Sequence, residues 1–197
     1  MRTKFVHAAA AVAVALLCGC STRGPGQLSY QTLSERRSRD GQLAQERNRQ
    51  GLEAIEKGEF DKAEKLFREA LEADLFYPSA HNNLGLALLK RQRWYEAAWE
   101  FEYAAKLMPK SVEPRHNLGA LMERAGRLDR AEQCYEEALA ISPDDIEVMG
   151  HLARVYVKTQ RRPERLRELL KELAYRSDAN GWDVWARRKL MTSYGEN

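Results

Sequence analysis

Three histidines recur at a constant step: His81, His116 and His151 lie 35 residues apart. Imidazole ligates metals and titrates near neutrality, so a regular row of them invites a zinc reading. The step argues against it. The chain repeats every 34 residues, as shown below, so each histidine falls one position further round its helix, and rings carried on helices roughly 10 Å apart should diverge. Zinc needs three or four donors converging to about 2 Å from the ion. No metal is therefore expected. Cys134, next to Tyr135 on an apolar-periodic segment, reads as a small packed side chain, since a catalytic thiol needs an accessible, electropositive setting. Phosphate-loop, paired-histidine, nucleophile-elbow and C-x-x-C motifs are absent from the sequence. No catalytic residue, cofactor or small-molecule substrate is expected.

Asn83 and Asn117 offer different chemistry. Each directly precedes a Leu-Gly pair, and a side-chain amide carries donors and an acceptor that can grip an extended peptide backbone. The alternative is a solvated polar face copied by duplication, because exposed polar residues need no function.

The elements that must position these residues follow from self-similarity. Gly51, Gly85, Gly119 and Ala153 are spaced by 34 residues, as are Ala63, Ala97 and Ala131, then Phe67, Phe101, Tyr135 and Leu169, and also Ala70, Ala104 and Ala138. Four columns in register at one period predict a stack of helical hairpins. Gly58 and the Ala125-Gly126-Arg127 turn end first helices. Pro109 and Pro143 end second helices. After the last repeat, Asp178 and Asn180 can cap a helix over about 181–191, with Trp182, Trp185, Leu190 and Met191 as its apolar side.

The Leu-Gly pair, the alanine followed four residues later by an aromatic, and the terminal proline resemble the tetratricopeptide repeat. The resemblance runs over residues 44–179, in units 44–77, 78–111, 112–145 and 146–179, and is strongest in the middle two. Both end units are degenerate. Leu75 stands in the proline column, and Arg165 and Glu172 stand where small alanines belong, as stacking allows at a face without a neighbour. The implied fold is all-α, an α-α superhelix of about four helix-turn-helix repeats, with residues 180–197 as a capping helix.

The resemblance also implies a concave groove lined by the first helix of each repeat. The candidates there are Asn48, Asn82, Asn83, Leu86, Lys90, His116, Asn117, Arg124, His151 and Arg154. The asparagines are similar to the ladder of O-linked N-acetylglucosamine transferases. Glu113 stands where a chaperone-carboxylate clamp would need a lysine, so that partner is not expected. Trp94 falls in the column of Phe60 and Leu128 and reads as core; Trp99 is free to form a convex contact patch.

The N-terminus reads as targeting. Arg2 and Lys4 precede an apolar run from Phe5 to Leu17 that is too short to span a bilayer, which takes about 20 apolar residues. It ends in Leu17-Cys18-Gly19-Cys20, which resembles the lipobox of bacterial lipoproteins and implies a palmitate-type diacyl anchor on Cys20. Cys18 fits less well, with bulky Leu17 at the cleavage position. Residues 1–19 are then a signal peptide and 20–43 a tether. Ser21 in place of an aspartate favours the outer membrane, facing the periplasm. With Arg2 and Lys4 removed from the 32 basic residues, 30 face 29 acidic ones, a net of +1, which gives no electrostatic reason to expect nucleic acid. The expected function is a lipid-anchored scaffold in the bacterial envelope, an assembly factor of the pilus or secretin kind that holds a protein or peptide segment in its groove. Docking through the convex face, or delivery of substrates to an envelope peptidase, are the alternatives.

Overall fold

The computed structural model describes residues 39–176 and 181–195. These form nine helices and no strand: α1 Gly41–Glu56, α2 Phe60–Ala73, α3 Pro78–Lys90, α4 Trp94–Leu107, α5 Glu113–Arg124, α6 Leu128–Ile141, α7 Ile146–Thr159, α8 Pro163–Tyr175 and α9 Trp182–Tyr194. The all-α architecture matches expectation. Helices α1 to α8 pair as four hairpins, each with a first (A) helix and a second (B) helix. Cys20, Asp178 and Asn180 lie outside the described residues.

Local chemistry sets the ends. Asp40 caps α1 by accepting from the Leu43 amide at 2.9 Å, and Asp145 caps α7 through the Val148 amide at 3.0 Å. α1 thus starts three residues before the predicted boundary at Ala44. Pro78, Pro114 and Pro163 occupy first-turn positions of α3, α5 and α8, where no amide is missed. The A-to-B turn needs a left-handed residue. Gly58 and Gly126 supply it at φ of 75° and 73°, but Gln92 and Gln160 hold the same column at 62° and 54°. Gly181, itself left-handed, is the residue that caps the start of α9.

Glycine sets the spacing of each hairpin. A Cβ on Gly51, Gly85 or Gly119 would lie 2.4, 2.6 or 2.6 Å from the ring of Phe67, Phe101 or Tyr135. Each aromatic therefore presses on the glycine of its own hairpin, and one of them also reaches the next unit. Tyr135 does both, since its hydroxyl reaches His151 at 3.3 Å. The fourth hairpin exchanges the bulk, with Ala153 on the A helix and Leu169 on the B helix, both buried. Ala63, Ala97, Ala131, Ala70, Ala104 and Ala138 are fully buried at the helix crossings, while Arg165 and Glu172 in the same columns face solvent. Cys134 is buried, which pushes its thiol up to about 11. Trp94 is half-buried at the start of α4, and Met191 points outward at 56% exposure, against the apolar role expected of it.

Successive A helices approach one another, α1 to α3, α3 to α5 and α5 to α7, whereas among the described residues successive B helices do not. The A side is therefore the inner side. α9 packs on α8 and reaches α7, in the place a fifth A helix would take. No described helix is long and apolar enough to cross a membrane.

Candidate protein-binding groove

Parallel A helices in this stack are offset, so that a residue faces not its equivalent in the next repeat but the position after it. The contact step is 35. The Asn83 amide nitrogen donates to Asn48 Oδ1 at 2.9 Å, and that of Asn117 donates to Asn82 Oδ1 at 3.0 Å. His116 and His151 continue the series edge to face, with ring centroids 5.0 Å apart. Lys158 reaches Glu123 at 2.7 Å by the same step.

This corrects the expectation that histidines spaced by 35 diverge. Two of the three converge because 35, not 34, is the step that crosses between A helices. His81 stands apart, its Nδ1 at 2.6 Å from Glu100 and its Nε2 at 2.9 Å from the Leu75 carbonyl.

The asparagines also behave differently from a free ladder. Asn48, Asn82 and Asn83 are buried and Asn117 half-buried, so each amide is first a bolt between neighbouring helices. Satisfying a buried amide this way avoids the desolvation cost of leaving it unpaired. Asn83 and Asn117 keep one N–H and the carbonyl oxygen for anything laid along the groove.

Further along, Glu123 is the hub. It is 8% exposed and takes Arg154 in two bonds of 2.8 Å each, with Lys158, the Tyr135 hydroxyl at 3.3 Å and His151 at 3.4 Å around it. Burial pushes the Glu123 carboxyl up, but the hydrogen bonds from His151, Arg154 and Lys158 more than reverse this and hold it well below the usual carboxylate range. The same burial, with the Glu123 charge beside it, drives the Tyr135 hydroxyl strongly upward. Ala120, Glu123, Arg124, Arg154 and Lys158 line a cavity of about 340 Å³. Arg124 lies over the Trp94 ring at 5.8 Å, and among the described residues neither it nor Lys90 has a carboxylate partner. Both are exposed, and Leu86 is half-buried.

The row ends on an aromatic. The column Asn48, Asn82, His116 continues to Gly150, whose absent side chain leaves room for Trp182: a Cβ there would lie 2.2 Å from the indole. Trp182 in turn sits 5.5 Å from the His151 ring and under the Arg154 guanidinium at 5.4 Å. Sequence reasoning places Trp182 on a lid but not in the groove. The bare Gly150 in an otherwise polar column was the signal for it.

Two sequence profiles described as tetratricopeptide repeat match this chain, over residues 48–112 and 112–155. The chain is a tetratricopeptide-repeat protein. Among curated proteins it is similar to protein O-mannosyl-transferase Tmtc3 of Drosophila melanogaster, 29% identical over 112 residues, covering 56% of this chain and 12% of that protein. It is also similar to tetratricopeptide repeat protein 7A of Homo sapiens, 36% identical over 64 residues, covering 32% of this chain and 8% of the relative. The chain thus spans a small part of the curated relatives it matches. Among solved structures, the first repeat domain of Spaghetti (RPAP3) bound to the HSP90 peptide SRMEEVD superposes with a TM-score of 0.59 at 21% identity, covering 61% of this chain and 96% of that one. MamA AMB-1 gives 0.58 at 21% identity, covering 70% and 76%. These likenesses show the superhelical fold.

Proposed function

We propose that this tetratricopeptide-repeat protein is a lipid-anchored scaffold of the bacterial envelope that holds an extended, carboxylate-bearing segment of a partner protein along its A-helix face. The observation that carries the reading is the column Lys90, Arg124 and Lys158, one cation in each of the second, third and fourth repeats at the 34-residue step where the first repeat has Glu56, ending at a cavity where three cations face a single carboxylate. Opposite charges of this kind steer encounter and fix the register of a bound segment. The spare amide groups of Asn83 and Asn117 lie on the same inner face. A domain of similar fold is known with the acidic peptide SRMEEVD bound, which supports a peptide as the occupant without naming it. The lipobox-like run ending in Cys20 supports the anchor, and Ser21 supports the outer membrane. The role is then that of an assembly factor for a pilus or secretin, or of an adaptor for an envelope peptidase.

Photo-crosslinking from Leu86 and Arg124 in intact cells, followed by mass spectrometry, tests this. A single protein caught through an acidic segment is the expected result. Loss of capture on substituting Asn83, Asn117 and His116 together is expected as well; unchanged capture would overturn the groove. A mature N-terminus without acyl mass would overturn the anchor.

The second reading, docking through the B-helix side, is favoured by one feature. Tyr95 and Trp99 on α4 are 85% and 58% exposed, Trp99 stacks on Tyr103, and Tyr95 and Trp94 border a cavity of about 460 Å³ floored by Leu121 and Met122. Apolar surface grouped this way marks contact sites. Crosslinks from Trp99 but not from Leu86 would favour it.

A further inference from the structure

We propose that His116, Glu147 and His151 form a binding site for a divalent transition-metal ion of the zinc type, clipping α5 to α7. The donor atoms these residues offer all lie within 4.8 Å of one another. Glu147 and His151 are four residues apart on α7 and so share one helical face, while His116 arrives from α5 by the 35-residue contact step. Two imidazoles and one carboxylate are a donor set that suits zinc, with water completing a tetrahedron.

Two further observations point to a ligand. His116 Nε2 is buried and has no hydrogen-bond partner, a position that costs free energy until something accepts its lone pair or its proton. His151 is oriented from behind: its Nδ1 faces Glu123, Arg154 and the Tyr135 hydroxyl, which leaves Nε2 for the ion. With a metal on Nε2, the ring proton moves to Nδ1 and is accepted by Glu123 Oε2, the carboxylate-behind-imidazole pairing common around zinc. Arg154, whose Nη2 lies 2.6 Å from Nδ1, then gives up that contact and retains its two bonds to the Glu123 carboxylate.

Donors about 2 Å from one ion are roughly 3.4 Å apart, so the most distant pair must draw in by up to about 1.4 Å. Glu147 is exposed and can swing inward. The ion would tie repeat three to repeat four beside the Trp182 end of the groove.

The test is titration of the full chain, stripped with chelator, with Zn²⁺ alone, and separately with Co²⁺ read by absorption. One ion per chain is expected, with visible Co²⁺ bands of nitrogen and oxygen ligation. Glu147→Ala should weaken binding at least about 10-fold while leaving the helical circular dichroism unchanged, and His116→Ala should abolish it. If His116→Ala fails to fold, Glu147→Ala and the wild-type Co²⁺ spectrum decide. Absence of stoichiometric binding, equal affinity in Glu147→Ala, or a near-ultraviolet sulfur-to-cobalt band from cysteine ligation would each overturn the site.

Discussion

Replacing Gly150 by alanine should undock the C-terminal helix. In an unobstructed helix the change stabilises by about 1 kcal/mol, because glycine is the more flexible residue in the unfolded chain. Here the new Cβ would lie 2.2, 2.4 and 2.6 Å from Cδ2, Cε2 and Cε3 of Trp182. Restoring a contact of about 3.5 Å requires the indole to retreat by roughly 1.3 Å. It cannot do so without loosening its edge contact with Trp185 at 5.5 Å, its contact with His151 and the Arg154 guanidinium above it. Overpacking of this kind costs about 1–3 kcal/mol, and lost aromatic and cation–π contacts add about 0.5–1.5 kcal/mol each. The net expectation is a destabilisation of about 2 kcal/mol, or a Tm lower by roughly 4–8 °C for a domain of this size. Amide exchange should locate the loss in α9, with tryptophan emission shifted to the red. Gly41→Ala, where a Cβ meets nothing within 4 Å, serves as the control. A Gly150→Ala protein as stable as the wild type, with α9 still protected, would refute the steric reasoning.

Gln92→Gly and Gln160→Gly should each raise stability by about 0.5–1 kcal/mol, since a left-handed side chain costs about 1–2 kcal/mol and glycine returns part of that in the unfolded state; urea titration checks this. A double-mutant cycle on Asn48→Ala and Asn83→Ala should show a coupling of about 1 kcal/mol across the 35-residue step, while Asn83 paired with Asn117 should show almost none. Acid should unfold the domain through Glu64 and Glu123. Burial raises the Glu64 carboxyl, but Arg93, Arg91 and Arg68 outweigh it, so both glutamates sit below the ordinary carboxylate value of 4.5. A lowered native pKa contributes stability that is full above pH 4.5 and falls as pH drops below it. Thermal melts at stepped pH should show this loss, diminished in a Glu123→Gln variant.

The hairpins were legible in the sequence because close packing leaves its mark at the repeat length: Gly85 with Phe101 and Gly119 with Tyr135 recur together, and each pair meets within one unit. What joins the units was less legible. Whether Asn83 meets Asn48 or Asn117 depends on the offset between neighbouring A helices, a property of the superhelix that no single repeat encodes. The 35-residue spacing of His81, His116 and His151 carried that offset, but His81 obscures it by turning to Glu100. The hub at Glu123 was hidden for another reason. Its partners Tyr135, His151, Arg154 and Lys158 come from two other helices, α6 and α7, and a lone acid in an inward column reads like any surface charge until the fold gathers cations around it.

The asparagine bolts have a consequence for how such a chain can change length. Because Asn48 contacts the residue 35 positions on, excising residues 78–111 as one block would bring Asn117 to the place Asn83 now holds, and the joint would close with the same pair of amides. Removing 33 or 35 residues instead would set an asparagine against a mismatched surface. Growth and shrinkage of the molecule are therefore quantised, and its reach toward a partner can be adjusted in whole modules while the amide seams keep the same fastening.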